Sequence, residues 1–167
     1  MSSPLSEKNI VLGITGSIAC YKAVDLASKL SQAGALVDVV MTASATRFVA
    51  PITFSSITHR PVVTDMFEPN SEVGIHHVAV AERADIVVVA PATANFIAKM
   101  AGGLADDALG TTILATAAPV VIAPAMDGHM YENTATQENV EKLRKRGVYV
   151  AGPASGHLAS GLSGKGR

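Results

Sequence analysis

Six short runs rich in β-branched residues, most of them separated by stretches with helical spacing, constrain this chain more than any other feature. They are Ile10 to Ile14, Leu36 to Met41, Pro61 to Asp65, Asp85 to Ala90, Pro119 to Ala123 and Val148 to Ala151. Several are apolar without alternation, the pattern of strands buried on both faces. Helices are predicted over Ile18 to Ala33, Ala43 to Ala50, Thr93 to Met100, Asp107 to Thr116 and Thr136 to Arg146. In the first, Ile18, Tyr21, Leu26 and Leu30 recur at helical spacing, and Gly34 marks the stop. Alternation of strands and helices implies parallel pairing, because right-handed crossovers need a helix between neighbours. The expected architecture is a three-layer, doubly wound, Rossmann-like α/β fold around a six-stranded parallel sheet.

With 167 residues and no internal repeat, the chain is expected to form one domain over 1–167. Apolar residues make up 49% of it and charged residues 16%, a balance that excludes a disordered chain. Such a sequence has more apolar surface than one core takes up, so a homo-oligomer is expected. A net charge of −1, with no basic run longer than Arg144-Lys145-Arg146, argues against nucleic acid as a partner. The single cysteine, Cys20, excludes an internal disulfide and a multi-cysteine zinc site, and fits a reducing cytoplasm. His129, His157 and the His76-His77 pair lack the spacing of a metal-ligand set, so no metal is expected. Residues 1–8 are polar, expected to be flexible, and lack the apolar core of a signal peptide. The apolar stretch from Thr111 to Met126 is broken by Pro119 and Pro124 and is too short to span a membrane. Gly152 to Arg167, with five Gly and three Ser, reads as a mobile flap.

The chemistry-bearing residues fall in loops after strands. Gly13-Ile14-Thr15-Gly16-Ser17-Ile18-Ala19 joins the first strand to the first helix, where free N–H groups and the helix dipole suit an anion. Plain turn geometry is the alternative for this loop. Its spacing is not the dinucleotide fingerprint, and Met41-Thr42 ends the second strand where a ribose-binding acid would stand. Thr42-Ala43-Ser44-Ala45-Thr46 supplies three hydroxyls, suited to an anion or to ordinary N-capping. Ala90-Pro91-Ala92-Thr93-Ala94-Asn95 and Ala123-Pro124-Ala125-Met126-Asp127 follow the fourth and fifth strands. Their small residues let a flat ring approach the backbone.

The strings Gly16-Ser17-Ile18-Ala19-Cys20-Tyr21-Lys22, Pro91-Ala92-Thr93-Ala94-Asn95, Ala101-Gly102-Gly103-Leu104-Ala105-Asp106-Asp107 and Pro124-Ala125-Met126-Asp127-Gly128-His129-Met130-Tyr131-Glu132-Asn133 occur in this order. Together they resemble the homo-oligomeric flavin-containing cysteine decarboxylases, and most of all the decarboxylase half of the bifunctional bacterial enzymes that carry a phosphopantothenate–cysteine ligase. The likeness runs from about Lys8 to Arg167. It implies a flavoprotein fold, trimers often grouped into dodecamers, and FMN held by Gly16, Ser17, Ile18, Thr42, Ser44, Thr93, Ala94, Asn95, Phe96 and Ala125. It also implies an active-site histidine at His77, substrate contacts at Asp127 and Met130, and a catalytic flap position at Ser160.

The implied reaction converts 4′-phosphopantothenoylcysteine to 4′-phosphopantetheine for coenzyme A. It proceeds through oxidation of the thiol to a thioaldehyde, loss of carbon dioxide and reduction of the ene-thiolate. Two residues depart from the family pattern. Asp127 replaces the Asn of a Pro-x-Met-Asn motif, and Ser160 stands in place of the proton-donating Cys. A hydroxyl is far too weak an acid to replace a thiol of pKa about 8.5. The last proton is left to Asp127, His157 or water, and a coupled change of Asp127 with Ser160 is one explanation. The alternatives are a peptidyl-cysteine decarboxylase that stops at the ene-thiol, a flavin reductase, and a non-catalytic FMN-binding subunit. Because the relatives continue beyond Lys165-Gly166-Arg167 into a ligase half, the chain is expected to be a piece of a longer protein.

Overall fold

The computed structural model describes residues 3–67, 76–157 and 163–165. Six strands form one parallel sheet: β1 (Asn9–Ile14), β2 (Leu36–Met41), β3 (Val62–Val63), β4 (Ile86–Ala92), β5 (Val120–Pro124) and β6 (Tyr149–Val150). Their spatial order is β3-β2-β1-β4-β5-β6, so the winding reverses between β1 and β4. Ligands of open α/β sheets bind at such a reversal, beyond the carboxyl ends of the strands. The main helices are α1 (Cys20–Gln32), α2 (Pro51–Thr58), α3 (His76–Arg83), α4 (Ala94–Gly102), α5 (Ala108–Ala115), α6 (Gly128–Glu132) and α7 (Thr134–Lys145).

Strand periodicity sorts the core into two faces. Ile10, Leu12 and Ile14 of β1 and Val37, Val39 and Met41 of β2 pack with Cys20, Ala23 and Ala27 of α1 and Phe54 of α2. The intervening Val11 and Val40, with Val87 and Val89 of β4, pack with Val80 of α3, Phe96 of α4, Leu109 of α5 and Val140 of α7. Gly13 lets α5 approach β1, since a Cβ there would lie 2.5 Å from Leu109 Cδ1. Leu109→Ala empties that fully buried contact and is expected to cost about 3 kcal/mol. In calorimetry this corresponds to a fall in Tm of roughly 6–12 °C for a domain of this size.

All six predicted strands are present, and the end strands β3 and β6 shorten to two residues each. The helices are less faithful to the sequence reading. Over the predicted Ala43 to Ala50 there is only a 3-10 turn at Ala45–Arg47, and the α-helix lies beyond it at Pro51–Thr58. The cause is local: Ala50, preceding Pro51, is extended at φ −69° and ψ 140°, as a residue before proline prefers, and proline favours the first helical position. Helices α3 and α6 are too short for a legible apolar period. Of the four residues read at helical spacing, Leu26 and Leu30 pack against the core, while Ile18 is 60% and Tyr21 63% exposed and Cys20, Ala23 and Ala27 take the buried places. Small residues on that side let α1 sit close to the strands. In the predicted flap, Ser155–His157 (β7) pairs antiparallel with Ser163–Lys165 (β8), and β8 lies against α6.

On the α1 side the sheet is covered unevenly. Leu12, Val88, Val121 and Tyr149 form one cross-strand row. Leu12 is fully buried, Val88 and Val121 are half-buried and Tyr149 is 66% exposed, so apolar surface opens toward β6. Among the described residues no helix is long and apolar enough to cross a membrane.

Candidate functional site

The end of β1 is clipped to the end of β4 by a buried threonine. Thr15 Oγ1 donates to the Pro91 carbonyl at 2.7 Å and accepts the Thr93 N–H at 3.0 Å. Thr93 in turn caps α4, its hydroxyl accepting the Phe96 N–H at 3.2 Å. The Ala125 N–H donates to the Ala92 carbonyl at 3.0 Å, and the Thr42 N–H to the Ile14 carbonyl at 3.0 Å. The loops after β1, β2, β4 and β5 are thereby fastened to one another at one edge of the sheet. Thr15→Val leaves the Thr93 N–H without its acceptor, at a cost of about 1–3 kcal/mol. A thermal shift alongside an FMN titration by fluorescence quenching is expected to show both lower stability and weaker flavin binding.

Between these loops lies a cleft of about 250 Å³, lined by Thr15, Gly16, Thr42, Ala43, Ser44, Thr93, Asn95, Phe96, Lys99, Asp106 and Asp107. That volume is just below the roughly 300–1,000 Å³ of small-molecule sites, so it suits part of an elongated ligand. Loops one and two touch at Gly16, where a Cβ would fall 2.4 Å from Ser44 Cβ and 3.0 Å from the Ser44 carbonyl carbon. Among the described residues, the N–H groups of Gly16, Ile18, Ala43 and Ser44 donate to no protein group, whereas the Ser17 N–H is turned to the Cys20 thiol. Four free backbone donors with the hydroxyls of Ser17, Thr42 and Ser44 form a donor set fitted to a phosphate.

Lys99, one helical turn after Asn95, donates to Asp106 at 2.8 Å and to Asp107 at 3.3 Å. Asp107 also caps α5, accepting the Gly110 N–H at 2.7 Å. The Lys99 hydrogen bond holds the Asp106 carboxyl below its ordinary range, and Asp106 raises the Lys99 ammonium above its own. The cation beside the cleft is therefore already engaged, and phosphate recognition falls to the neutral donors. Cys20 is buried under loop one, its thiol donating to the Thr15 carbonyl at 3.2 Å. Burial pushes that thiol up, which makes it a packing group and not a nucleophile.

Of the predicted cofactor residues, Gly16, Thr42, Ser44, Thr93, Asn95 and Phe96 line the cleft. Ser17, Ile18 and Ala94 adjoin it in sequence, Ser17 Oγ accepting the Ala19 N–H at 3.2 Å, and Ala125 is fastened to Ala92. Phe96 is 2% exposed and packs in the core. Asp127 caps α6, its carboxylate accepting the His129 N–H at 2.9 Å, and Met130 is exposed. His77 falls in the first turn of α3. Since α3 enters β4 as a crossover helix, that turn lies toward the carboxyl edge. Ser160 lies outside the described residues. Thr15 and Lys99 line the cleft and are missing from the predicted set. The spacing of Lys99 from Asn95 carries a usable signal, since residues four apart share a helix face.

Fold and cleft together define an open α/β protein built to hold an anionic group at the reversal of its sheet. The chain belongs to the Flavoprotein family, whose model matches residues 1–167. It is 50% identical over 163 residues to the coenzyme A biosynthesis bifunctional protein CoaBC of Bacillus subtilis, covering 98% of this chain and 40% of that protein. The chain thus spans about two fifths of the curated relatives it matches. Among solved structures, the FMN-dependent cysteine decarboxylase SpaF superposes with a TM-score of 0.86 at 34% identity, covering 98% of this chain and 91% of that one. A cysteine-to-serine mutant of PPC decarboxylase complexed with pantothenoylaminoethenethiol gives a TM-score of 0.84 at 28% identity, covering 96% of this chain and 90% of that one.

Proposed function

We propose that this chain is an FMN-dependent decarboxylase unit acting on 4′-phosphopantothenoylcysteine in coenzyme A biosynthesis, in the cytoplasm and within a longer protein that also carries a ligase. The observation that carries this reading is the phosphate-suited donor set at the β1/β4 reversal, in a chain half identical to a bifunctional protein of that biosynthesis. When bound, FMN supplies a two-electron acceptor for the substrate thiol, so that the carboxylate departs into a thiocarbonyl sink and the electrons return to the product.

The protein's part is placement and charge. Loops one and two, through Gly16, Ser17, Ile18, Thr42 and Ser44, hold the phosphate of FMN with oriented N–H groups. Thr93, Ala94, Asn95, Phe96 and Ala125 border its ring, the small residues allowing close approach and Asn95 offering a polar edge. His77, brought to the same edge by α3, manages the thiol proton. Asp127 and Met130 meet the substrate from α6, with the flap strand β8 alongside. The chain is taken as a homo-oligomer, trimers grouping into dodecamers. The opening apolar row through Val88, Val121 and Tyr149 supports a subunit contact on that face.

A second reading has its own support. Ser160 stands at the flap position where the family resemblance places a cysteine, and a cysteine-to-serine decarboxylase has been captured with an aminoethenethiol. On this reading the carboxylate is lost, the reaction stops at the ene-thiol, and the two electrons stay on the flavin until dioxygen takes them, so the test is run without oxygen. One experiment tests both: record the visible spectrum, add phosphopantothenoylcysteine, and follow flavin bleaching, carbon dioxide and product mass together. Bleaching with gas release and recovery of colour supports the full cycle. Gas release with a product two hydrogens lighter supports the second reading, and a protein that binds no FMN ends both.

A further inference from the structure

Among the described residues one charged side chain is buried, and the proposed reaction makes no use of it. Asp38 lies on β2 with 4% of its surface exposed, on the same face as Val40 and among the valines that pack against α3 and α5. A carboxylate in that setting is costly unless it is paired and its lone pairs are filled. Two arginines do so. Arg83 donates through Nε to Oδ2 at 3.0 Å and through its terminal nitrogen to Oδ1 at 2.8 Å. Arg60 donates through Nε to Oδ1 at 2.8 Å and, more loosely, to Oδ2 at 3.4 Å.

The two arms hold different elements. Arg60 follows α2, whereas Arg83 is the last residue of α3, the helix whose first turn carries His77. Helix α3 has eight residues. Its other described anchors are its packing along α5 and against β1, Val80 and Ala81 in the core, and the Ala81 carbonyl, which accepts the Thr116 hydroxyl at 3.0 Å. Apolar packing along α5 leaves a short helix some freedom to slide and turn, which the two-pronged fork at its carboxyl end removes, and an error there is carried along to the first turn.

We propose that Arg83, anchored on Asp38, is a positioning residue that sets where α3 presents His77 at the carboxyl edge of the sheet; this rests on the reading of His77 as the group that manages the thiol proton. Misplacement of about 1 Å at a reacting group is enough to cost up to a hundredfold in rate. The FMN loops belong to other elements and do not move with α3.

The test compares the two arms of one carboxylate in the FMN-loaded protein. Arg83→Gln leaves Asp38 paired with Arg60, and Arg60→Gln leaves it paired with Arg83, so each variant keeps the buried charge neutralised. Arg83→Gln is expected to lower kcat for carbon dioxide release at least tenfold, with KM and FMN affinity unchanged. Arg60→Gln is expected to lower Tm by a similar few degrees while kcat stays within twofold of the parent. Arg83→Lys keeps the charge and loses the fork, and its kcat is expected to fall in between; it also serves if Arg83→Gln does not fold. Equal loss of kcat in both arms, loss in neither, or a loss expressed in KM or FMN binding overturns the proposal. His77→Asn separates it from the reading beneath it. If His77→Asn is fully active, that reading fails; if His77→Asn is inactive while Arg83→Gln keeps its kcat, the reading stands and the positioning role fails. With both roles in place, His77→Asn combined with Arg83→Gln is no slower than His77→Asn alone.

Discussion

Replacing His77 with Asn is expected to leave the protein yellow and to slow carbon dioxide release by about 10²- to 10⁴-fold, the range a positioned acid–base group contributes. Asn keeps a polar side chain of similar size and removes the only titration near neutrality at that position. Flavin binding survives because the loops after β1, β2, β4 and β5 are fastened to one another through Thr15, Thr42 and Ala125 without help from α3. His76 provides the internal control. The family resemblance singles out His77 and not its neighbour, so His76→Asn is expected to retain activity within a few-fold. Stopped-flow bleaching of the flavin with gas measurement separates binding from turnover. Equal activity of His77→Asn and the parent would remove histidine from the chemistry.

Ser160→Cys is expected to speed the last step of the full cycle and, on the reading that stops at the ene-thiol, to change the product itself. An alkyl hydroxyl does not release a proton to the ene-thiolate, whereas a thiol with a pKa of about 8.5 does so readily. The reductive step is therefore expected to quicken by about 10²-fold or more; where the parent stops at the ene-thiol, mass spectrometry reads the change as two added hydrogens. Asp127→Asn probes the compensating route. Asn caps a helix as well as Asp, so the bond now made to the His129 N–H is retained and stability should change little. If Asp127 supplies the proton in place of the missing thiol, Asp127→Asn halts product reduction in the parent and has little effect in the Ser160→Cys background. Undiminished reduction in Asp127→Asn eliminates that route. Fully reduced product from the parent, with no gain in Ser160→Cys, removes the flap position from the last step.

Legibility varied with the range of the interactions involved. The six strands were readable because each is a run of β-branched residues with parallel neighbours, a pattern that needs no partner to be recognised. The helix at Pro51–Thr58 was displaced from the predicted one although its signal, Ala50 before Pro51, is local and present in the sequence. The spacing read in α1 was only partly reflected in burial: Leu26 and Leu30 pack against the core, but close approach to β1 and β2 selects Cys20, Ala23 and Ala27 over Ile18 and Tyr21. At the cleft, Gly16, Thr42, Ser44, Thr93, Asn95 and Phe96 were named from loop chemistry and resemblance, and they line it. Thr15 was read only as one residue of the first loop, because its hydroxyl acts on Pro91 and Thr93, more than seventy positions away.

By itself the sequence determined the parallel α/β class, the strand inventory, the family resemblance and the two departures at Asp127 and Ser160. Each of these is a property of local period or residue identity. Only the tertiary structure decided that β1 and β4 lie side by side, that Gly16 and Ser44 touch, and that Asp38 on β2 grips Arg83 at the end of α3. Those contacts join residues distant in the chain, and no periodicity within a single segment encodes a distance between two of them.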